Sequence, residues 1–456
     1  MSSQTAILLT LVLYKLALIG LGLWAQRRTV TGTDFFLGGR QLGPWVAALS
    51  ASASSSSVWT LLGVSGAAYT WGLGAVWLLP ACVGGFVLNW WVVAPRLQRE
   101  SRRASALTVT EFLARGHRAV AVLASIIVLL SLCTYVASQF QGAGKAFHET
   151  FGWSVDHSIL VGSAIVIIYT LLGGFWAVSL TDTLQGLLMG ITAVCLPIAA
   201  LAQVGFDGLF RDASPEFMSL TRNMGPAAAF GFIGGLLGIG IGYPGQPHVV
   251  NRFMALRDEA AVRTARVIAI VWAILVYSGM LILGWAGRSL LPSLSDNEVV
   301  FVAATHALFP PVVSGIMLAS VLSAIMSTAD SQLLVAASAV THDLGFGRRQ
   351  IVVSSRIVIV VLSLGAVLAA LYGPKGIFDR VLFAWSAMGA AFGPLLLVTL
   401  WKGPVSATRT FAAMSVGFVL SVVAYSFAET KGLIERWVPF AIALAIAGWP
   451  TRRSSD

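Results

Sequence analysis

Two carboxylates stand inside apolar stretches of this 456-residue chain, at Asp182 and Asp330. A charged side chain at the centre of a bilayer costs several kcal/mol, so an acid within a membrane span is a functional candidate by default. Hydroxyl side chains flank Asp330 in the sequence, at Ser327, Thr328 and Ser331. Oxygen-rich clusters of this kind favour a hard cation or a proton. An acid at a helix end that reaches water, or a structural pair with a polar neighbour, would also explain these residues.

Two segments interrupt the helical pattern of the spans around them. Residues 50–57 hold six serines, which compete with the helix for backbone hydrogen bonds. Residues 234–248 are rich in glycine and include Pro244 and Pro247, which remove donors and block helix continuation. Unwound backbone at membrane depth is tolerated only where protein buries it or where it lines a cavity. A small-residue packing face and a kinked, tightly packed glycine helix are the alternatives for the two segments.

The composition restricts the class of protein. Hydrophobic residues make up 57% of the chain and charged residues 11%, with a formal net charge of +10. The mean hydropathy is +0.84. Because soluble domains carry about 25% charged residues, we exclude a soluble or disordered protein. Three cysteines and six scattered histidines give neither a disulfide framework nor metal-ligand spacing. Without a nucleophile–base set or a phosphate loop, we expect no enzyme activity, no organic cofactor and no nucleic-acid partner.

Apolar stretches of about 20 residues can cross the hydrocarbon core of a bilayer as helices. The sequence therefore predicts an all-α polytopic membrane protein with about thirteen transmembrane helices. The predicted spans are approximately 5–26, 44–70, 74–95, 119–147, 158–177, 181–204, 226–249, 264–287, 311–341, 353–373, 378–401, 408–428 and 437–450.

The positive charges assign the two sides of the membrane. Most of the 29 Lys and Arg residues, Arg252 among them, fall in the loops predicted on one side. By the positive-inside rule that side is cytoplasmic, so we expect a multi-pass protein of the plasma (inner) membrane with its N-terminus outside and its C-terminus cytoplasmic. Lys15 lies inside the first span, and we interpret it as a snorkelling lysine on a peripheral helix.

The two interrupted spans lie five spans apart, so they cross the bilayer in opposite directions. Broken helices at equivalent positions in two units of opposite topology are typical of inverted-repeat secondary transporters. We therefore expect residues 1–456 to form a single transporter domain embedded in the lipid bilayer. Its predicted parts are a leading helix at 5–26, a first five-helix repeat at 44–204, a second repeat at 226–401 and trailing helices at 408–450.

Several strings along nearly the whole chain carry a family resemblance. They are Phe36-Leu37-Gly38-Gly39-Arg40, Tyr169-Thr170-Leu171-Leu172-Gly173-Gly174-Phe175-Trp176-Ala177, Thr181-Asp182-Thr183-Leu184-Gln185, Gly242-Tyr243-Pro244-Gly245-Gln246-Pro247-His248 with Arg252-Phe253-Met254, and Ser323-Ala324-Ile325-Met326-Ser327-Thr328 with Gln332-Leu333-Leu334. In this order and on these spans they resemble the sodium:solute symporter family, most closely its sodium/proline symporters.

This resemblance implies a LeuT-type core of five plus five helices, with the first helix of each repeat broken. It also implies a sodium site formed by the carbonyls of Ala53, Ser56 and Ala324 and the hydroxyls of Ser327 and Thr328. Oxygen atoms are the ligands that hard cations prefer. The implied substrate contacts are Ser57, Trp59, Tyr135, Tyr243 and Gln246. Trp385 is a weaker candidate, which we assign to ordinary helix packing.

The chain departs from the sodium/proline symporters at three positions. Ser55 stands where they carry an acid in the first break, Asp330 where they carry a hydroxyl, and Ile239 where they carry an aromatic residue near the substrate. The first two changes suggest that the negative charge has moved from one helix to the other. If the family fold holds, Asp182 lies near Asp330, and the pair would bind a second cation or a coupling proton.

The function predicted from these observations is alternating-access uptake of a small organic solute, most favourably an amino acid such as proline, coupled to inward sodium movement. Two alternatives stay open at this point. One is a proton-coupled symporter of an organic acid or a vitamin such as pantothenate. The other is a transporter-like membrane sensor.

Overall fold

The computed structural model describes residues 2–26, 36–172, 174–210, 213–346, 350–374 and 376–449. Within these ranges the chain is helical, and an isolated bridge between Leu42 and Leu256 is its one β-type pairing. The predicted all-α class is therefore confirmed.

The helices follow one another through short connections. In the first half of the chain they are α1 (Ser3–Gln26), α2 (Pro44–Ser55), α3 (Ser65–Trp71), α4 (Leu78–Val87), α5 (Ala94–Arg103), α6 (Val109–Ala114), α7 (Arg118–Phe151), α8 (Val155–Leu172) and α9 (Phe175–Val204). In the second half they are α10 (Pro226–Ile241), α11 (Pro247–Ala255), α12 (Glu259–Leu290), α13 (Val300–Leu308), α14 (Pro311–Ser338), α15 (Ile351–Tyr372), α16 (Ile377–Lys402), α17 (Ala407–Ser426) and α18 (Leu433–Gly448).

Nine helices among the described residues are long and apolar enough to cross a membrane. The predicted second and seventh spans cannot appear as single long helices, because the structure breaks both of them. The second span is divided into α2, a π-helical stretch at Trp59–Val64 and α3, and the seventh into α10 and α11. The count of thirteen spans therefore stays a prediction, while both predicted interruptions are present.

The boundary between the fifth and sixth spans differs from the prediction of 158–177 and 181–204. Helix α8 ends at Leu172 and α9 begins at Phe175. Gly174 is the extended residue before α9, with φ −122° and ψ −177°, and an extended residue is the usual N-cap of a helix. Asp182 therefore lies in the third turn of α9, whereas the predicted span, which begins at residue 181, puts it in the first turn.

Helix α2 packs on α9, α12 and α14, and α9 also packs on α12 and α14. Helices α14 and α16 are buried along most of their length, whereas α1 and α15 present large apolar side chains outward. Outward-facing residues of this kind include Leu13, Leu16, Val361 and Leu368. An apolar outer surface around a core containing many buried hydroxyls is the arrangement expected of a membrane protein.

Candidate functional site

The first break follows directly from the serine run. Helix α2 ends at Ser55, and Ser56 leaves helical geometry with φ −103° and ψ 17°. The Ser52 carbonyl accepts from the Ser56 N–H at 3.0 Å and from the Ser55 hydroxyl at 3.0 Å. A helix end leaves its last carbonyls without intrahelical partners. The oxygens of Ala53 and Ser54 are thus available to another group.

Two hydroxyls of α14 meet these carbonyls. Ser327 donates to the Ala53 carbonyl at 3.3 Å and to the Ala324 carbonyl at 3.4 Å. Thr328 lies 3.5 Å from the Ala53 carbonyl and 3.2 Å from the Ser54 carbonyl. Two oxygen ligands about 2.4 Å from a hard cation and at right angles to each other lie about 3.4 Å apart. The spacing of this oxygen cluster therefore fits a small cation such as sodium.

Four of the five residues predicted as sodium ligands thus come together, and Ser54 joins them through its carbonyl. Ser56 lies buried at the break itself. Within the described residues, no hydrogen bond connects it to the hydroxyls of Ser327 or Thr328. The sequence could identify Ala53 and the two hydroxyls by resemblance, but it gave no signal for the Ser54 carbonyl, which depends on where α2 ends.

The second break lies between α10 and α11. The chain passes through a 3₁₀ turn at Tyr243–Gly245, and α11 begins at Pro247, where a missing backbone N–H does no harm. This turn packs backbone against backbone on α16. A Cβ on Gly245 would lie 2.5 Å from the Gly389 Cα and 2.6 Å from the Met388 carbonyl oxygen. Only glycine fits at this contact, which holds the second break against α16.

Several predicted substrate residues belong to a closed circle of side-chain contacts around the two breaks, which we call the ring. Its members are Ser57, Trp59, Tyr135, Tyr243, Tyr277 and Trp385. The Tyr135 hydroxyl lies 3.3 Å from the Ser57 hydroxyl, which itself accepts from the backbone N–H of Trp59 at 3.1 Å. The rings of Trp59 and Tyr277 lie 6.3 Å apart between centroids. Tyr277 therefore connects the first break to the rest of the ring.

The ring closes through Tyr243 and Trp385. The Tyr277 hydroxyl lies 3.2 Å from the Tyr243 hydroxyl. The Trp385 ring lies 4.7 Å from that of Tyr243 and 6.5 Å from that of Tyr135, between centroids. The Trp385 indole N–H also donates to the Ile239 carbonyl at 3.1 Å. Trp385, which the sequence assigned to ordinary packing, and Tyr277, which it missed, thus belong to this ring.

Several buried polar atoms near the ring have no hydrogen-bond partner in the part of the chain that the structure describes. They include one atom each of Trp59, Gln139 and Gln246. The side-chain oxygen of Gln139 accepts from the backbone N–H of Val58 at 3.1 Å, which leaves the side-chain NH₂ of Gln139 free. The Gln246 NH₂ donates to two carbonyls, at 3.0 and 2.9 Å, which leaves its oxygen free. Buried polar groups normally find partners, so two donors and one acceptor here suit a polar ligand.

A buried ion pair lies below the first break. Arg252 donates to the Asp182 carboxylate at 3.0 Å, and the two side chains are 1% and 0% exposed. Ser50 and Ser54 donate to the same carboxylate oxygen at 2.8 and 3.2 Å. The assignment of Arg252 to an inner loop is therefore wrong. It lies on α11, one turn after His248, whose carbonyl it contacts, and its motif gave no hint of a partner 70 residues earlier.

The two intramembrane acids lie near each other, as the sequence suggested. The Ser331 hydroxyl is 3.4 Å from the Asp330 carboxylate and 3.5 Å from that of Asp182. Ser331 also lies 3.0 Å from the Ser54 hydroxyl. Arg252 forms an ion pair with Asp182, whereas Asp330 has no ion pair among the described residues. Each of the two acids has one oxygen without a hydrogen-bond partner in the same part of the chain.

An aromatic barrier separates the ring from a cavity at the opposite end of the molecule. This cavity has a volume of about 420 Å³, and Ala67, Lys145, Glu298 and Phe378 are among its lining residues. The Phe378 ring lies 5.6 Å from the ring of Trp59 between centroids. Glu298 accepts from Lys145 at 2.5 Å and from the Phe378 N–H at 2.9 Å. Glu298 therefore fixes the start of α16, and with it Phe378, over the site.

We expect Glu298→Gln to open this barrier more often, because the variant loses the ion pair with Lys145 and weakens the cap on α16. A hydrogen bond to a charged group contributes about 1 kcal/mol or more, which corresponds to roughly a fivefold change in an opening equilibrium. The measurement is labelling of a cysteine at Ser57, on the ring side of the barrier, by a membrane-impermeant maleimide, with Cys82, Cys133 and Cys195 replaced by serine. Labelling should become roughly fivefold faster.

The matched control is Asp379→Asn, because Asp379 is exposed in the same cavity and has no ion pair among the described residues. That variant should label at the parent rate. Equal labelling rates in the Glu298 and Asp379 variants would contradict a gating role for Glu298.

Two interrupted apolar helices, an oxygen cluster at one break and an aromatic ring between the breaks define the LeuT-type class of membrane transporters. The model of the sodium:solute symporter family matches residues 35–417. The chain belongs to this family, whose members are transporters and not enzymes.

Two curated relatives align over most of both chains. The osmoregulated proline transporter of Bacillus subtilis is 34% identical, with 97% of this chain and 93% of the relative covered. The sodium/proline symporter of Escherichia coli is 33% identical, with 95% and 90% covered.

Solved structures agree on the fold. A Na⁺-coupled sialic acid symporter in a substrate-bound, outward-open state is similar with a TM-score of 0.79 at 19% identity, covering 97% of both chains. A nucleobase-cation-symport-1 family transporter in a closed conformation is similar with a TM-score of 0.57 at 15% identity, covering 92% of this chain and 94% of that one. The predicted LeuT-type fold is therefore confirmed.

Proposed function

We propose that the protein couples the inward movement of sodium to the uptake of proline by alternating access. The observation that carries this proposal is the meeting of the Ser327 and Thr328 hydroxyls with the carbonyl oxygen of Ala53 at 3.3 and 3.5 Å. The cluster joins the broken α2 to the continuous α14. A sodium ion bound there would hold the two helices together, and its departure would release them.

The ring of contacts supports a small zwitterion with an apolar body as the solute. Proline has a carboxylate that accepts hydrogen bonds, an ammonium group that donates them and a compact aliphatic ring. Free donors include the Trp59 indole N–H and the Gln139 NH₂, and free acceptors include the Gln246 side-chain oxygen. Tyr243 and Trp385 provide aromatic walls. The names of the two curated relatives, a proline transporter and a sodium/proline symporter, favour proline independently of these contacts.

We also propose the predicted topology, with repeats at 44–204 and 226–401 and the N-terminus outside. Its support comes from loops that are far apart in sequence. Trp71, Lys145, Glu298 and Phe378 all line one cavity, and the prediction puts all four at outer ends of spans. Arg102 donates to the Arg40 and Arg257 carbonyls, which the prediction puts on the inner side. If the prediction had missed a span between these segments, it would have put segments that contact each other on opposite sides of the membrane.

The roles of the two acids are part of the proposal. Asp182, paired with Arg252, would hold the inner end of the first break in place. Asp330 is the acid to which a second cation or a coupling proton would be assigned, because it has no ion pair among the described residues, whereas Asp182 is paired with Arg252.

The test is uptake of radiolabelled proline by proteoliposomes that contain the purified protein. An inward sodium gradient at constant pH should drive accumulation above equilibrium, and a pH gradient without sodium should not. Uptake that ignores sodium and follows the pH gradient would overturn sodium coupling. Transport of pantothenate but not proline would overturn the substrate. Sodium-dependent binding of proline without any flux would favour the sensor.

A further inference from the structure

Four helix ends that the predicted topology puts on the inner side of the membrane lie together. Arg96, in the first turn of α5, donates to the Leu400 carbonyl near the end of α16 at 3.3 Å. The central carbon of its guanidinium lies 3.2 Å from the centre of the Trp401 ring. The start of α17 and the end of α18 meet through Arg409, which donates to the Trp449 carbonyl.

Lys402 connects these two contacts. It follows Trp401 at the end of α16, and its ammonium lies close to the backbone of α18, because a Cβ on Gly448 would be 3.6 Å from its Nζ. Arg409 contacts the residue that follows Gly448. Arg96, Lys402 and Arg409 therefore form one group of cations, which we call the basic cluster.

Most hydrogen-bond donors of the basic cluster have no partner among the described residues. An arginine has five N–H donors and a lysine has three. Arg96 donates to one carbonyl, and Arg409 donates to one carbonyl and to the Ser406 hydroxyl. Lys402 is exposed. Charged donors of this kind form their strongest hydrogen bonds with anionic oxygens, such as those of a phosphate.

Acidic side chains do not compensate the charge of the basic cluster. None of its three cations has an ion pair in the part of the chain that the structure describes. Other arginines of the predicted inner side do have acidic partners. Arg99 lies 3.3 Å from Glu259, and Arg103 lies 2.9 Å from Glu100. The basic cluster therefore carries three positive charges that an external anion can neutralise.

Two exposed indoles indicate that the basic cluster lies at the boundary between membrane and water. Trp401 is 55% exposed and Trp449 is 70% exposed. Tryptophan is enriched at the level of the lipid head groups, and the anionic lipids of the cytoplasmic leaflet attract basic segments next to the membrane. A soluble phosphate has no acyl chains to pack beside these indoles. The arrangement therefore favours the phosphate of a lipid over a free phosphate.

We propose that the basic cluster binds the phosphodiester of an anionic phospholipid such as phosphatidylglycerol. This inference goes beyond the proposed transport function and uses only the proposed topology of the four helix ends. Helix α5 follows α4, which packs on α10 and α12. A head group bound at the cluster would therefore join the part of the protein that contains the second break to the ends of α16, α17 and α18.

The test is the thermal unfolding midpoint of the protein, purified in detergent, as a function of added lipid. A ligand that binds only the folded protein raises the midpoint as its concentration rises. Phosphatidylglycerol should raise it at lower concentration than phosphatidylcholine, and glycerol phosphate without acyl chains should not raise it. Equal stabilisation by phosphatidylcholine would mean that the charge is irrelevant. Equal stabilisation by glycerol phosphate would identify a site for a soluble anion. Either result would overturn the inference.

Two variants locate the binding site. One cation near an anionic membrane surface strengthens binding about fivefold, so Lys402→Gln and Arg409→Gln should each need about five times more phosphatidylglycerol for the same shift. The matched control is Arg99→Gln, which removes an exposed cation of an ion pair on α5 and should keep the wild-type response. An equal loss in Arg99→Gln, or a wild-type response in Lys402→Gln, would overturn the inference. If Arg409→Gln does not fold, Lys402→Gln alone decides.

Discussion

Replacing Arg252 by glutamine is expected to destabilise the folded protein by about 3–5 kcal/mol, because the change leaves the buried Asp182 charge without its partner. The pair is 3.0 Å apart and almost fully buried. In a thermal unfolding experiment in detergent, the midpoint should fall on the order of 5–10 °C. Removing both charges leaves no unpaired ion, so Arg252→Gln combined with Asp182→Asn should recover much of this loss.

The control for this prediction is a neighbouring arginine in an exposed pair. Arg257 lies 3.3 Å from Asp258, and the two side chains are 54% and 52% exposed. Exposed pairs of this kind contribute about 0–1 kcal/mol, so Arg257→Gln should leave the midpoint almost unchanged. The ion-pair assignment is wrong if Arg252→Gln and Arg257→Gln unfold at the same temperature, or if the double variant is no more stable than Arg252→Gln.

Removing the two hydroxyls of the oxygen cluster is expected to have the second large effect, on sodium affinity. In Thr328→Val the shape of the side chain is kept and the oxygen is lost, and Ser327→Ala removes the other hydroxyl. A hydrogen bond or similar contact to a charged group contributes about 1.5–3 kcal/mol, so each variant should raise the half-saturating sodium concentration roughly 10–100-fold. Sodium-driven proline uptake in proteoliposomes measures this concentration directly.

Ser320 provides the matched control on the same helix. Its hydroxyl donates to the Met317 carbonyl of its own helix at 2.6 Å and does not reach the first break. Ser320→Ala should therefore keep the wild-type sodium dependence. A shift of similar size in Ser320→Ala would mean that the effect comes from α14 as a whole, and no shift in Thr328→Val would remove that hydroxyl from the ion site.

The breaks in the fold could be predicted because their causes are local. Serine offers the backbone other hydrogen bonds, and Pro244 and Pro247 cannot continue a helix. The interruptions within residues 50–57 and 234–248 could therefore be predicted without knowing which helices pack against them. The broken helices account for two of the four predicted spans that do not appear as long helices, and the other two are the fifth and the last, where α8 and α18 are short. Each break shortens a span below the length of a continuous transmembrane helix.

The partners across the site could not be predicted from local pattern. Arg252 counts as an ordinary loop charge until α11 is seen to turn it towards Asp182. Tyr277 looks like one more aromatic residue of an apolar helix, although its hydroxyl lies 3.2 Å from that of Tyr243. Lys15 looked peripheral because its span is exposed on one face, while its contact with Met326 depends on a helix some 300 residues further along. Each of these contacts joins two residues that are far apart in sequence, so neither residue on its own indicates its partner.

Ser54 is shared by two parts of the molecule that have been described separately. Its carbonyl accepts from Thr328 at 3.2 Å, and its hydroxyl donates to Asp182 at 3.2 Å. Asp182 in turn holds Arg252, which lines a narrow cleft with Phe36 on the side predicted to be cytoplasmic. Binding of sodium at the proposed site, beside the Ser54 carbonyl, and closure of the cleft lined by Arg252 would then be thermodynamically linked. Such linkage is reciprocal. A higher sodium concentration outside the cell would therefore favour closure of this cleft. A variant in which the cleft opens more often would in turn bind sodium more weakly from the outside.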